Sequence, residues 1–239
     1  MWTSTALASE LRGYAGTVWR VVEAQHRIST SRLAADARAQ QMLEELVEEV
    51  KPLLPAGAHH LHFLLAAPFR YGHALPSRFR RANERPGIFY AAEHEATAIA
   101  EAAYWRLRFY SRSPGFVPPA TTTEHSSFRA VVKAQRALDL TRAPFVAEKV
   151  RWTDPVDYSA CQALAGAARD AGCELIRSRS ARDPGRGCTV AVRAPEAFAE
   201  RAPRPDKTWH LRFENGQLLA LAAFPGEGRF AFTADQFGL

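Results

Sequence analysis

Apolar and polar positions along the chain fall into two long stretches that read as helices, followed by short apolar runs separated by turn residues. Glu10–Glu23 carries Leu11, Val18, Val21 and Val22 and reads as a helix. A second helix is predicted over Ser29–Val50, where Leu33, Ala34, Met42, Leu43, Leu46, Val47 and Val50 recur at helical spacing. Ser29 and Ser31 are its candidate N-caps, and Pro52 and Pro55 stop it. Residues 1–55 are therefore expected to form an N-terminal helical extension of a main domain at 56–239. Glu44, Glu45, Glu48 and Glu49 would be its solvated acidic face, and the layer would serve packing, a partner or a second copy of the chain.

The pattern then shortens. His60–Ala66 reads as a strand, and residues 67–86 as a long basic loop holding Arg70, Arg78, Arg80, Arg81 and Arg85. Gly87–Ala92, bounded by Pro86, reads as a buried strand, and a helix is predicted from Glu93 to about Tyr110. After a Pro/Ser/Thr-rich connection at 111–126, Phe128–Leu140 alternates like strand. Asp157–Ala171 reads as a small-residue helix, capped by Asp154 or Asp157 and closed by Gly172. Cys173–Ser178 and Cys188–Arg193 read as strands. Asn215-Gly216 between Trp209–Glu214 and Gln217–Ala223 is a hairpin signal. Strands and helices mix without regular βα alternation, so the fold class is α+β.

Composition narrows the function classes. With 239 residues and 47% hydrophobic content, the chain has material for a core without staples. Cys161, Cys173 and Cys188 lie in apolar contexts without metal-ligand spacing and read as buried thiols, so no metal is expected. The His59, His60 and His62 cluster has no matching downstream ligands and reads as structural. The net charge of +6 rests on arginine, since Lys51, Lys133, Lys149 and Lys207 are the lysines. That suits phosphate or an acidic surface, but no block of five like charges suggests a nucleic-acid tail. Neither a secretion signal nor a membrane-length apolar run is apparent, so the cytoplasm is the expected location.

Four residues stand out chemically. Glu101 is the one charge between Ala96 and Trp105, and a mid-helix carboxylate among Ala, Ile, Tyr and Trp is expensive to bury unpaired. Arg78, in the basic loop, could grip a phosphate bidentately. Tyr90, near the end of its strand, could face a planar ligand. Ser180 sits in a Ser/Arg/Gly loop able to offer donors to a diphosphate. The GxxxxGK[ST], GxSxG and GxGxxG patterns are all absent, which sets aside a Walker loop, a nucleophile elbow and a Rossmann site.

Taken in order, these residues and their surroundings resemble the RES-domain family. The matching segments are the run Trp19–Arg27, the APFRY segment ending at Tyr71, Ser77-Arg78-Phe79, the IFYAAE segment ending at Glu93, Thr97–Glu101 and Ser178–Arg182. The chain departs from the family in having Ser178-Arg179 where Tyr-Pro is common, and Pro76-Ser77 where Gly-Gly or Gly-Ser precedes the arginine. The resemblance implies a mixed, largely antiparallel β core with flanking helices, like that of ADP-ribosyltransferase toxins. It implies NAD⁺ as substrate, cleaved at the nicotinamide–ribose bond with phosphate or water as acceptor, or ADP-ribose transfer to a protein. It also implies an Xre-type helix-turn-helix antitoxin as partner. Carried onto this chain, it makes Glu101, Ser180 and Arg78 the catalytic candidates. Tyr90, Arg70, Tyr71 and Arg182 join Arg78 in binding NAD⁺, with Arg70 a rival to Arg78 for the diphosphate.

Overall fold

The computed structural model describes residues 2–24, 35–113, 115–118 and 121–239. Helix α1 (Ser4–Glu10) leads into strand β1 (Arg12–Glu23), followed by helices α2 (Ala37–Val50) and α3 (Phe63–Arg70). Strand β2 (Phe89–Ala92), helix α4 (Glu95–Ser111) and strand β3 (Thr123–Asp139) come next. Helices α5 (Lys149–Trp152) and α6 (Ser159–Asp170) precede strands β4 (Leu175–Arg179) and β5 (Cys188–Val192). Three further strands, β6 (Arg204–Glu214), β7 (Gln217–Ala222) and β8 (Arg229–Thr233), complete an α+β fold.

The sheet runs β1-β2-β5-β4-β3-β6-β7-β8, and an additional β1–β3 ladder closes the first five strands on themselves. The pairings are antiparallel except β3 with β4. Helix α4 lies against β6–β8, where Ile99, Ala103 and Leu107 meet Trp209, Leu211 and Phe232. Inside the closed strands, Phe89, Phe128 and Val190 pack with Leu65 and Phe69 of α3. Helix α6 covers Ile176 and Ala191 through Leu164 and Ala168. Asn215 and Gly216 both take positive φ, as the two-residue turn joining β6 and β7 requires.

Two predicted elements are corrected. The expected helix over Glu10–Glu23 is strand β1, paired with β3 along most of its length. Gly13 and Gly16 weaken a helix there, and Thr17, Val18, Val21 and Val22 are β-branched residues that fit a pleated surface. The strand expected at His60–Ala66 is the start of α3. His62 Nδ1 accepts from the Leu64 N–H at 3.3 Å, and Leu65, Ala66 and Phe69 form a buried helical stripe. Helix α2 keeps its predicted end at Val50, but its N-cap is Asp36; Ser29 and Ser31 lie outside the described residues. None of its residues is buried, and Met42 and Leu46 are more than half exposed. The three cysteines are free and buried.

Candidate active site

A cavity of about 590 Å³, a size typical of small-molecule sites, opens between β1, β2, α4 and the loop that follows α3. Trp19, Arg20 and Val21 of β1 line it, as do Tyr90, Ala91 and Ala92 of β2 and residues 73–80 of the loop. Helix α4 contributes Glu101, Tyr104 and Trp105, and Tyr158 and Arg182 come from beyond β3.

The structure brings four of the predicted residues together. Glu101, Arg78, Tyr90 and Arg182 all line the cavity. Ser180 stands directly behind: its hydroxyl donates to Glu101 Oε1 at 2.6 Å and is only 6% exposed. Its oxygen accepts the backbone N–H groups of Arg182 at 3.0 Å and Asp183 at 2.9 Å. With its acceptor sites taken, the Ser180 proton points at the carboxylate. No arginine or lysine nitrogen lies within 4.0 Å of Glu101 among the described residues. The carboxylate therefore faces the cavity held by a hydroxyl rather than neutralised by a cation.

The loop carrying Arg78 is stapled in place. The Tyr90 hydroxyl bonds the Ser77 hydroxyl at 2.8 Å and accepts the Phe79 N–H at 3.2 Å. Burial pushes the pKa of Tyr90 up against the opposing pull of those bonds, so the phenol stays neutral. Gln162 of α6 donates to the Ser77 carbonyl at 3.0 Å. Arg80, 3% exposed, spends its guanidinium on the carbonyls of His73, Leu75 and Arg81. Arg78 gives one N–H to the Trp152 carbonyl at 2.6 Å and lies 5.9 Å from the Tyr158 ring centre. Arg182 stacks on Tyr104 at 3.6 Å and bonds the Tyr158 hydroxyl at 2.9 Å.

Arg70 and Tyr71 are not among the cavity's lining residues. Arg70 pairs with Glu48 of α2 at 2.6 Å, and Tyr71 lies beside His73 with ring centres 6.2 Å apart.

Arg20 is a cavity-lining residue that the sequence did not single out. It follows Val18 on the same face of β1, donates to the Tyr90 carbonyl at 3.2 Å and crosses the Phe89 ring at 4.8 Å. Burial pulls its pKa down to about 10, which leaves a poorly solvated cation at neutral pH. His73 beside it is held below its ordinary pKa by burial and by Arg80 and Arg20. The available signal was an arginine at an inward position of an alternating strand, and the helical reading of β1 concealed it. Tyr104 and Tyr158 carried no signal that separated them from core aromatics.

A second polar network lies close to this site. Glu93 accepts two bonds from Arg177, at 2.7 and 2.8 Å, and one from Tyr14 at 2.9 Å. Arg177 also bonds both Asp139 carboxylate oxygens and the Thr141 hydroxyl. The Arg177 bonds, first among several causes, hold Glu93 below its ordinary pKa.

The sequence pattern of the RES domain matches residues 54–214. No curated protein matches the chain. Among solved structures, a chain of the M. tuberculosis MbcT–MbcA toxin–antitoxin complex is similar at 17% identity with a TM-score of 0.47, over 86% of this chain and 92% of that one.

Proposed function

The chain belongs to the RES-domain family, and from that premise we propose that it consumes NAD⁺ by breaking the bond between nicotinamide and ribose. The observation that carries this reading is Glu101, a carboxylate without a cation partner among the described residues, on the wall of a cavity also lined by Arg20, Arg78, Arg80 and Arg182.

As the glycosidic C–N bond breaks, its electron pair leaves with nicotinamide and positive charge develops on the ribose. A carboxylate beside that sugar stabilises the developing charge, most strongly where water is excluded. A cation paired with Glu101 would cancel this field; a hydroxyl orients the group and leaves its charge available. Arg20 and Arg78 suit the two negative charges of the diphosphate. Tyr90 supplies an apolar face with its hydroxyl already engaged. Ser180 acts through Glu101 rather than on the substrate. Attack on the ribose by a phosphate oxygen completes a phosphorolysis, and attack by water completes a hydrolysis. Transfer to a protein side chain is the alternative, and docking without catalysis a further one.

The proposed role is that of a toxin, and the proposed partner is an Xre-type helix-turn-helix antitoxin. No described helix is long and apolar enough to cross a membrane.

Purified protein incubated with NAD⁺, with and without inorganic phosphate, tests the reading. The expected products are nicotinamide with a phosphorylated ADP-ribose when phosphate is present, or with ADP-ribose in either case. Intact NAD⁺ under both conditions would exclude either reaction. Label from NAD⁺ recovered on protein would favour transfer.

A further inference from the structure

Thr97 stands one helical turn before Glu101 on α4, so both side chains address the loop between β4 and β5. Thr97 is 1% exposed, and its hydroxyl donates to Asp183 Oδ2 at 2.7 Å. The Asp183 carboxylate also binds its own loop, accepting from Gly185 N–H at 2.8 Å and Gly187 N–H at 3.0 Å. Its backbone N–H donates to Ser180 Oγ, the atom whose proton goes to Glu101. The approach of helix to loop depends on Gly187, where a Cβ would lie 2.0 Å from Thr97 Oγ1. Two contacts one turn apart thus tie the same helix to the same loop.

We propose that Thr97 and Asp183 form a positioning clamp, which fixes the β4–β5 loop so that the Ser180 hydroxyl stays on Glu101 and the carboxylate keeps one orientation in the cavity. The inference rests on the reading of Glu101 given above. Neither residue lines the cavity, so the clamp acts on turnover through Ser180 and not on substrate affinity. A buried Thr97 changed to Val keeps its shape and loses the donor, leaving an Asp183 oxygen short of a partner. The resulting drift of the loop is small in distance but sits behind a catalytic group, where misplacement is costly.

The test compares Thr97→Val, Thr97→Ser and Asp183→Ala with the wild type in NAD⁺ cleavage, each checked for folding by circular dichroism. Thr97→Val should lower kcat on the order of 10-fold or more with KM little changed. Thr97→Ser, which keeps the hydroxyl, should recover most of that loss. In a Ser180→Ala background, Thr97→Val should cost almost nothing further, because both changes break one chain of contacts. An unchanged kcat, or losses that add, would overturn the clamp. Should Asp183→Ala fail to fold, Thr97→Val carries the test alone. A crystal structure of Thr97→Val decides the matter independently of activity. Ser180 Oγ displaced from Glu101 supports the clamp, whereas Ser180 Oγ still at hydrogen-bonding distance refutes it, even if NAD⁺ proves not to be the substrate.

Discussion

Glu93 and Glu101 flank the first half of helix α4 and have opposite surroundings. Glu93 is gripped by Nε and Nη2 of the Arg177 guanidinium and by Tyr14, and Nη1 of Arg177 goes to Asp139. Its charge is spent on joining β1, β3 and β4 to the end of β2. Glu101 receives a hydroxyl from Ser180 and turns its remaining charge to the cavity. Burial alone therefore does not mark a functional carboxylate. What distinguishes Glu101 is a held position without neutralisation.

Five substitutions put this contrast at risk. Glu101→Gln keeps the shape and removes the charge, and should lower NAD⁺ cleavage on the order of 10²-fold or more, read as nicotinamide release, while thermal unfolding stays near that of the wild type. Arg20→Ala and Arg78→Ala should each raise KM for NAD⁺ on the order of 10-fold or more. Calorimetric titration of NAD⁺ into catalytically silent Glu101→Gln carrying either change would rank the two.

Glu93→Gln should do the reverse of Glu101→Gln, losing stability while the folded enzyme keeps its activity. The loss at neutral pH should be on the order of 1–3 kcal/mol, moderated by partial exposure and by the Asp139 that remains to Arg177. Because the folded state lowers the pKa of Glu93, its contribution is present above the ordinary carboxylate value and is lost as pH falls through the depressed one. Unfolding curves of wild type and variant should therefore draw together as pH falls below the ordinary carboxylate value and meet below the depressed one. The smallest effect belongs to Arg70→Ala. Its partner Glu48 is exposed, so cleavage rates and thermal unfolding should both match the wild type closely.

The candidate site was legible where chemistry was locally out of place. A lone carboxylate in an apolar helix identified Glu101, and the ordered set around it brought in Arg78, Tyr90, Ser180 and Arg182. The hairpin at Asn215-Gly216 and helices α4 and α6 were equally readable, because turn chemistry and helical spacing are local signals. Strand β1 was not, since Val18 and Val22 share a face in helix and strand alike, Val21 adds helical spacing, and the pairing with β3 is a long-range fact. Arg20 was lost with it. The HLHFLLA run failed in the other direction: a short apolar run carries no period that separates strand from helix, and the His62 cap decides it. Arg70 looked equivalent to Arg78 in the sequence; its pairing with Glu48 and its place outside the cavity lining set them apart.

The central claim is that Glu101 supplies an unneutralised charge for breaking the nicotinamide–ribose bond, whereas Glu93 supplies structure. It is tested most directly by nicotinamide release from NAD⁺ by wild type, Glu101→Gln and Glu93→Gln, side by side at a temperature where circular dichroism shows all three folded. Wild type and Glu93→Gln should release nicotinamide at comparable rates, and Glu101→Gln almost none. Release by Glu101→Gln at the wild-type rate, or no release by folded wild type, would contradict the claim.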